Sequence, residues 1–254
     1  MNYIVVDFEF NQPFNFPNGK KYERDERCPL EIIQIGAYKL NSSLREVDCF
    51  DVYIKPGIYK RLHPFVKNLT AINNDILSEA PSFPEAYEEF VEFIGPEKCC
   101  LCTWGGDDIN ALYRNILFYD LKSTVMTKKF IDIQVHATKQ LEAPNTAVAL
   151  KSAVEAFNIE ITEPFHDAFN DAYYTKEIMK RLDPETMVVK AVSVADIKER
   201  ISTRLQGINL KPLFTFTERL LQRKLTEKEK KAVAQIYAAG QTGRFDIQPK
   251  KNKF

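Results

Sequence analysis

Two carboxylates stand inside an otherwise apolar run near the start of the sequence, "YIVVDFEFNQ". The β-branched and aromatic content of this run predicts a strand, in which alternate side chains share a face, so Asp7 and Glu9 lie on one face roughly 7 Å apart. Two like charges in an apolar setting raise at least one pKa, and a divalent cation removes that penalty. Carboxylate oxygens suit Mg²⁺ or Mn²⁺, and a hydrogen-bonded structural pair is the alternative.

Two later helical segments each turn one acid toward their apolar side. In "GGDDINALYRN" the advance of about 100° per residue sets Asp108 beside the apolar stripe and leaves Asp107 outside it, where an N-cap belongs. In "HDAFNDAYYTKEIMKRL" Asp171 falls within the stripe and Asp167 falls outside it as the cap. His166 precedes this second helix, and an ordinary histidine pKa near 6.5 suits a general base. Four acids and one histidine are therefore the candidate catalytic residues.

The segments that would position these residues follow an informative order. "NYIVVDFEF", "PLEIIQIGAYKLN" and "EVDCFDVYIKP" are three strands with short connections, which predicts an antiparallel meander. "PSFPEAYEEFVEFIG" has helical spacing, "KCCLCTWGG" is a buried strand, and "KKFIDIQVHA" is a fifth strand that runs into a helix. Strands followed by alternating strands and helices predict an α/β fold with a mixed five-stranded sheet flanked by helices.

Composition excludes several classes of protein. The chain has 254 residues, of which 44% are hydrophobic and 28% charged, as expected of a globular protein. No apolar run approaches the roughly 20 residues of a membrane span, and the N-terminus lacks a signal-peptide pattern. The five cysteines show no paired spacing, so those of "KCCLCTW" are expected to be buried thiols in a reducing, cytoplasmic compartment. Two further histidines, His63 and His136, are expected to be structural or exposed.

Charge is distributed unevenly along the chain. Residues 1–185 carry 20 Lys+Arg and 29 Asp+Glu, whereas residues 186–254 carry 15 and 6. We therefore predict a main domain at 1–185 and a small basic helical C-terminal extension at 186–254. Such an extension indicates a polyanionic partner, and ordinary solvated helix faces are the alternative. The helix caps and stops expected in the extension are Ser193, Thr226 with Glu229, Gly207 and Gly240.

The order of these motifs resembles a known family of nucleases. "DFE" early, an Asp at a helix start in the middle and "H-x4-D" late are similar to the DEDDh 3′→5′ exonucleases, the DnaQ-like branch of the RNase H-like superfamily. The resemblance covers roughly residues 1–183. "CPLEIIQIGAYKL", "VYIKP", "FVKNLTAINNDILSEAPSFPEAYEEF" and "TWGGDD" are most similar to the Eri-like and KapD-like members. An RNase H-like fold is what this resemblance implies.

The resemblance also implies roles for the candidate residues. Asp7, Glu9, Asp108 and Asp171 would hold two Mg²⁺ or Mn²⁺ ions, with Asp7 bridging both, and His166 would be the general base. The expected reaction hydrolyses single-stranded 3′ ends, with RNA favoured and DNA possible, and releases nucleoside 5′-monophosphates. The positions expected to bind the terminal nucleotide are Phe8, Glu9, Phe10, Phe65, Leu69, Thr70 and His166.

The sequence departs from the family pattern at three places. Phe10 and Asn11 replace a small residue and a Thr, Ala71 replaces the Gly of "LTGI", and Asp107 stands where some relatives have a base-stacking Trp. Two other classes of function stay open at this stage. One is a catalytically silent nucleic-acid-binding module, and the other is a phosphodiesterase that acts on a small nucleotide.

Overall fold

β-Branched and aromatic residues form three antiparallel strands at the start of the chain. In the computed structural model, which describes residues 1–14, 24–143, 147–205 and 210–241, β1 is Asn2–Asn11, β2 is Glu31–Leu40 and β3 is Glu46–Tyr53. β2 pairs in the antiparallel direction with β1 on one side and with β3 on the other. The predicted meander is therefore confirmed.

Three further strands extend the sheet on the other side of β1. β4 (Cys99–Thr103) is parallel to β1, and β5 (Lys129–Asp132) is parallel to β4. A two-residue strand, β6 (Lys190–Ala191), closes the edge antiparallel to β5, so the order is β3-β2-β1-β4-β5-β6. The predicted mixed α/β fold is confirmed, and the sheet has one strand more than the five predicted. β6 lies in the segment that the sequence assigned to the helical extension.

Helices cover the sheet and connect its strands. Two short helices, α1 and α2, follow β3 and were not predicted, whereas the longer helices around β4 and β5 fall where the hydrophobic spacing predicts them. A 3₁₀ turn, Pro184–Thr186, leads toward β6. The bounds are α1 Pro64–Thr70, α2 Asn74–Ser78, α3 Phe83–Ile94, α4 Asp107–Phe118, α5 Ile133–Gln140, α6 Leu150–Ala156 and α7 Ala168–Met179.

One hydrophobic core lies between the sheet and α7, which packs on β1 and β2. Tyr174 and Ile178 of α7 are fully buried against this core, which includes Val5 of β1 and the thiols Cys100 and Cys102 of β4. The prediction of buried, unpaired thiols in β4 is confirmed. Because β1 is the central strand, a polar side chain on it is surrounded by protein on both sides and needs a partner there.

The contacts divide the chain into two compact units, Met1–Ile197 and Lys198–Phe254. α8 (Val194–Leu205) crosses this boundary, and α9 (Leu210–Leu221) and α10 (Glu227–Gln241) belong to the second unit. The separate roles predicted for 1–185 and 186–254 stay a prediction. Among the described residues, no helix combines the length and the apolar character that crossing a membrane requires.

Most of the predicted caps of these last helices are confirmed. The Ser193 hydroxyl accepts a hydrogen bond from the Asp196 amide, and Thr226 and Glu229 form the predicted capping box. The predicted stop at Gly240 is wrong, because α10 continues to Gln241. Gly207 lies outside the described residues.

Candidate active site

Three of the predicted metal ligands meet at the centre of the sheet. Asp7 and Glu9 are alternate residues of β1, and Asp171 lies in the first turn of α7. One carboxylate oxygen from each lies within 4.8 Å of the others. Asp7 and Glu9 are half-buried and Asp171 is only 9% exposed, so the group is a pocket of acids inside the protein.

Asp108 stands beside this group without joining the three-oxygen cluster. It is the second residue of α4, half-buried, while Asp107 is exposed. The charge of Asp108 is nonetheless close enough to raise the pKa of Asp7. The predicted cap at Asp107 is wrong, because Gly106 is the N-cap and Asp107 is already helical.

Burial raises the pKa of every one of these acids, and a neighbouring carboxylate raises it further. Burial is the largest cause for each, and it raises the pKa of Glu9 to about 8, that of Asp108 to about 7 and that of Asp171 to about 6. The pKa of Asp7 is raised well above its usual value by burial first and then by Asp108, Asp171 and Glu9. Glu9, with a pKa of about 8, is mostly protonated at neutral pH unless a nearby cation stabilises its charged form.

The donor set fits a divalent metal ion. Among the residues that the structure describes, no Lys or Arg forms an ion pair with Asp7, Glu9 or Asp171. The Oδ1 atom of Asp171 is buried and has no hydrogen-bond partner, although a buried acceptor is normally satisfied. Hard carboxylate oxygens with an unused buried lone pair are the ligands that Mg²⁺ and Mn²⁺ prefer.

The start of α7 is held tightly against β2, which brings Asp171 to the acids of β1. The Asp167 side chain caps the helix as predicted, accepting hydrogen bonds from the Phe169 and Asn170 amides at 3.0 and 3.1 Å. Gly36, opposite Asp7 in the ladder, has no side chain that would keep the helix away. A Cβ there would lie 2.1 Å from the Phe169 nitrogen and 2.2 Å from the Ala168 carbonyl carbon.

His166 occupies the turn immediately before α7. Its φ of 67° is in the left-handed region, which a residue other than glycine adopts at a cost of about 1–3 kcal/mol. The backbone amide of His166 donates to Asp171 Oδ2 at 3.1 Å, which fixes the turn to the acid cluster, and the side chain is exposed. The backbone of His166 is therefore attached to Asp171, and its imidazole is accessible to solvent. The role of general base stays a prediction.

The other two histidines have structural partners, as expected. His63 caps α1, its Nδ1 accepting from the Phe65 amide at 3.1 Å. His136 is buried, and its Nε2 accepts from the Val188 amide at 3.2 Å, which ties the chain before β6 to α5. Burial lowers the pKa of His136, consistent with a neutral imidazole that accepts a hydrogen bond.

The residues predicted to bind the terminal nucleotide differ in accessibility. Phe65 and Leu69 on α1 are 60% and 38% exposed, so they present apolar surface to solvent. Phe8 is buried, with its ring centroid 6.1 Å from that of the half-buried Phe10. The Thr70 hydroxyl donates to Val66 O and accepts from the Ile72 amide, so it already closes the end of α1. The nucleotide contacts of these residues stay predictions.

Two buried amides near the site were missed by the sequence reasoning. Asn11 donates to the carbonyls of Tyr59 and Arg61 at 2.8 and 3.1 Å and accepts from the His63 amide at 2.9 Å. It thereby fixes the entry of α1 to the strand that carries Glu9. Gln34 is equally buried, directly opposite Glu9. In the sequence, an amide side chain within an apolar strand was the signal that could have identified both residues.

Comparison with known proteins identifies the family. The model of a family described as an exonuclease (RNase_T) matches residues 4–179, and the chain belongs to this family. A 3′-5′ exoribonuclease 1 of Mus musculus is 24% identical over 160 residues, which cover 60% of this chain and 46% of that protein. The chain thus spans about half the length of the curated relatives it matches. The resemblance to the DEDDh 3′→5′ exonucleases, and to their Eri-like members in particular, is confirmed.

Solved structures show the same fold. The nuclease domain of 3′hExo, described as a DEDDh family member bound to rAMP, matches with a TM-score of 0.62 and 22% identity, covering 76% of this chain and 96% of that one. E. coli exonuclease I in complex with a dA16 oligonucleotide matches with a TM-score of 0.55 and 14% identity, covering 72% and 41%. The chain therefore has the RNase H-like fold of these nucleases.

Proposed function

We propose that this protein is a metal-dependent 3′→5′ exonuclease that shortens single-stranded nucleic acid, RNA in preference to DNA, and releases nucleoside 5′-monophosphates. One observation carries the proposal: carboxylate oxygens of Asp7, Glu9 and Asp171 lie within 4.8 Å of one another, and no described cation pairs with them. A cluster of acids whose pKa values are all raised is more costly than a structural role warrants, and such sites are candidates for function.

Each residue of the site has a proposed part in the reaction. Asp7, at the centre of the cluster, Glu9 and Asp171 would hold Mg²⁺ or Mn²⁺, and Asp108 would complete the ligand set from α4. Two divalent ions, when bound, neutralise the developing charge and stabilise the attacking and leaving oxygens of an in-line displacement. The bond that breaks joins the last phosphorus to the 3′ oxygen of the preceding nucleotide.

His166 is proposed to move the proton. As general base it takes a proton from the water that attacks the last phosphorus, and the departing 3′ oxygen takes a proton from solvent. Exposure of the side chain supports this part, because a base that must return its proton after each turnover needs access to water. Attachment of the His166 backbone to Asp171 keeps the base next to the acids.

The choice of RNA rests on the relatives. The mouse relative is named an exoribonuclease, and the 3′hExo nuclease domain holds rAMP. E. coli exonuclease I holds a DNA oligonucleotide on the same fold, so the fold alone does not select the sugar.

The basic end of the chain is proposed to hold the rest of the strand. Each described acid of α9 and α10 forms a salt bridge with a lysine or arginine of this unit, and these acids are Glu218, Glu227 and Glu229. Other exposed lysines and arginines, such as Lys228 and Arg219, therefore give this unit a surplus of positive charge, which binds phosphates by releasing counterions.

The proposal is tested with oligomers of one sequence made as linear RNA, linear DNA and circular single-stranded RNA. With a 5′ label and Mg²⁺, we expect both linear strands to shorten one nucleotide at a time, RNA faster, with nucleoside 5′-monophosphates as product. EDTA should stop the reaction, and the circle, which has no 3′ end, should stay intact. Cleavage of the circle, or activity confined to small nucleotides, would contradict the proposal.

A further inference from the structure

A glutamine side chain is buried in the middle of the apolar strand β2. Gln34 is fully buried and stands opposite Glu9 in the β1–β2 ladder, where paired residues point to the same face. Its Nε2 donates to Asp51 Oδ1 at 3.0 Å and to Asp167 Oδ2 at 3.1 Å, and its Oε1 accepts from the Ala168 amide at 3.1 Å. Both donors of the amide and one acceptor position are therefore in use.

Two of these three bonds reach the first residues of α7, and the third holds Gln34 to β3. Asp167 is the N-cap of α7, and its Oδ1 accepts hydrogen bonds from the helix amides. Its Oδ2 accepts hydrogen bonds from Gln34 and, at 3.4 Å, from the Tyr53 hydroxyl. Ala168 is the first residue of the helix. Asp171 follows three residues later, within the same turn, so any movement of Asp167 and Ala168 moves its carboxylate as well.

We infer that Gln34 is a positioning residue for the metal site: it holds the start of α7 so that Asp171 reaches Asp7 and Glu9, and it thereby sets the affinity for divalent ions. This inference rests on the proposed function of the three acids. Gln34 itself acts through Asp167 and Ala168, whose backbone and cap it binds on the side of the helix that faces β2.

The inference is tested by isothermal titration calorimetry, in which the affinity of the full chain for Mn²⁺ is measured without nucleic acid. Gln34→Met keeps the length of the side chain and removes all three hydrogen bonds. Loss of a partner behind a metal ligand lowers metal affinity by about 10- to 100-fold, and that decrease is expected here. Thermal unfolding without metal shows how far the variant is destabilised in general.

The matched control is Asn115→Leu. Asn115 is also a fully buried amide with three hydrogen bonds, to Leu30 O, Ala111 O and the Ile32 amide, and it also joins β2 to a helix. Its bonds do not reach α7. We expect this variant to lose thermal stability while it binds Mn²⁺ with an affinity close to that of the parent.

The outcomes separate this inference from the proposed function. A parent that binds Mn²⁺ and a Gln34→Met variant that binds it equally well would overturn the role of Gln34 and leave the metal site standing. A parent that binds no Mn²⁺ would overturn both. If Gln34→Met does not fold, Gln34→Glu carries the same test, because it keeps an acceptor for the Ala168 amide but places a carboxylate against Asp51 and Asp167. Mn²⁺ affinity equal to that of the parent in Gln34→Glu would equally overturn the inference.

Discussion

Substitution of Gly36 by Ala tests whether the close packing of α7 on β2 brings the three acids together. The added Cβ would lie 2.1 Å from the Phe169 nitrogen, 2.2 Å from the Ala168 carbonyl carbon and 2.4 Å from its oxygen. Ordinary contacts between such atoms are about 3.5 Å, so α7 must retreat by roughly 1 Å. All three atoms belong to the backbone, and no side-chain rotation relieves the overlap.

Two separate effects follow from this shift. Inserting a methyl group into a packed interior costs about 1–3 kcal/mol of the free energy of unfolding. The rate should also fall, because a misplacement of about 1 Å at a reacting centre costs roughly 100-fold. Asp171 lies in the first turn of the displaced helix, so its carboxylate moves away from Asp7 and Glu9 together with the backbone.

Urea unfolding and the rate on a 5′-labelled oligomer in Mn²⁺ measure the two effects separately. Gly57→Ala is the control, since the one close overlap of its Cβ would be with the hydroxyl of Tyr119 at 2.6 Å, the end of a side chain, and its other neighbours lie at 3.7 and 3.9 Å. We expect the control to lose some stability and to keep its activity once folded. A folded Gly36→Ala variant that degrades the oligomer at the parent rate would show that the close approach of α7 does not assemble the site.

Three further predictions concern protons and the basic unit. In the absence of metal, the free energy of unfolding should fall as pH rises from about 4 to about 8. Glu9 has a pKa of about 8 in the folded protein, above its unfolded value, so its protonated form stabilises the fold at low pH. That contribution is lost as pH rises through the folded pKa. Glu9→Gln should flatten this decline in thermal unfolding curves, and an equal slope would mean that Glu9 is not the crowded acid. His166→Ala should lower the rate by about 10²- to 10⁴-fold and remove the acidic limb of the pH–rate profile, which His136→Ala should leave in place; a limb that persists would assign it to another group. Removing residues 198–254 should weaken binding to long oligomers and flatten its salt dependence while sparing dinucleotides, and equal salt slopes would leave that unit without a role in holding the strand.

Local patterns in the sequence are sufficient to predict the features that depend on neighbouring residues. The period of two predicts that Asp7 and Glu9 share a face, and the helical period predicts that Asp171 is buried while Asp167 caps. Each of these depends on residues no more than four positions apart. The same holds for the capping box at Thr226, whose partner is three residues on.

Features that depend on distant residues were not predictable in this way. The bond from Gln34 to the start of α7 joins residues 134 positions apart, and the need for glycine at position 36 arises only when the helix is in place. β6 is two residues long, too short for an alternating pattern, and it forms because the chain after α7 returns beside β5. The cap of α4 was placed one residue late because the N-cap is Gly106, which has no side chain to mark the position in the sequence.

The central claim is that the three acids form a metal site for catalysis, and Asp7→Asn tests it most directly. The substitution keeps shape while it removes one charge from a site where burial, Asp108, Asp171 and Glu9 all raise the pKa of Asp7. We expect nuclease activity on RNA and DNA to disappear while metal-free thermal stability at pH 8 stays equal or rises. Mn²⁺ should stabilise the parent and not the variant, since a ligand stabilises only the fold that binds it. A variant that degrades either substrate at the parent rate, or that is less stable than the parent without metal, would contradict the account.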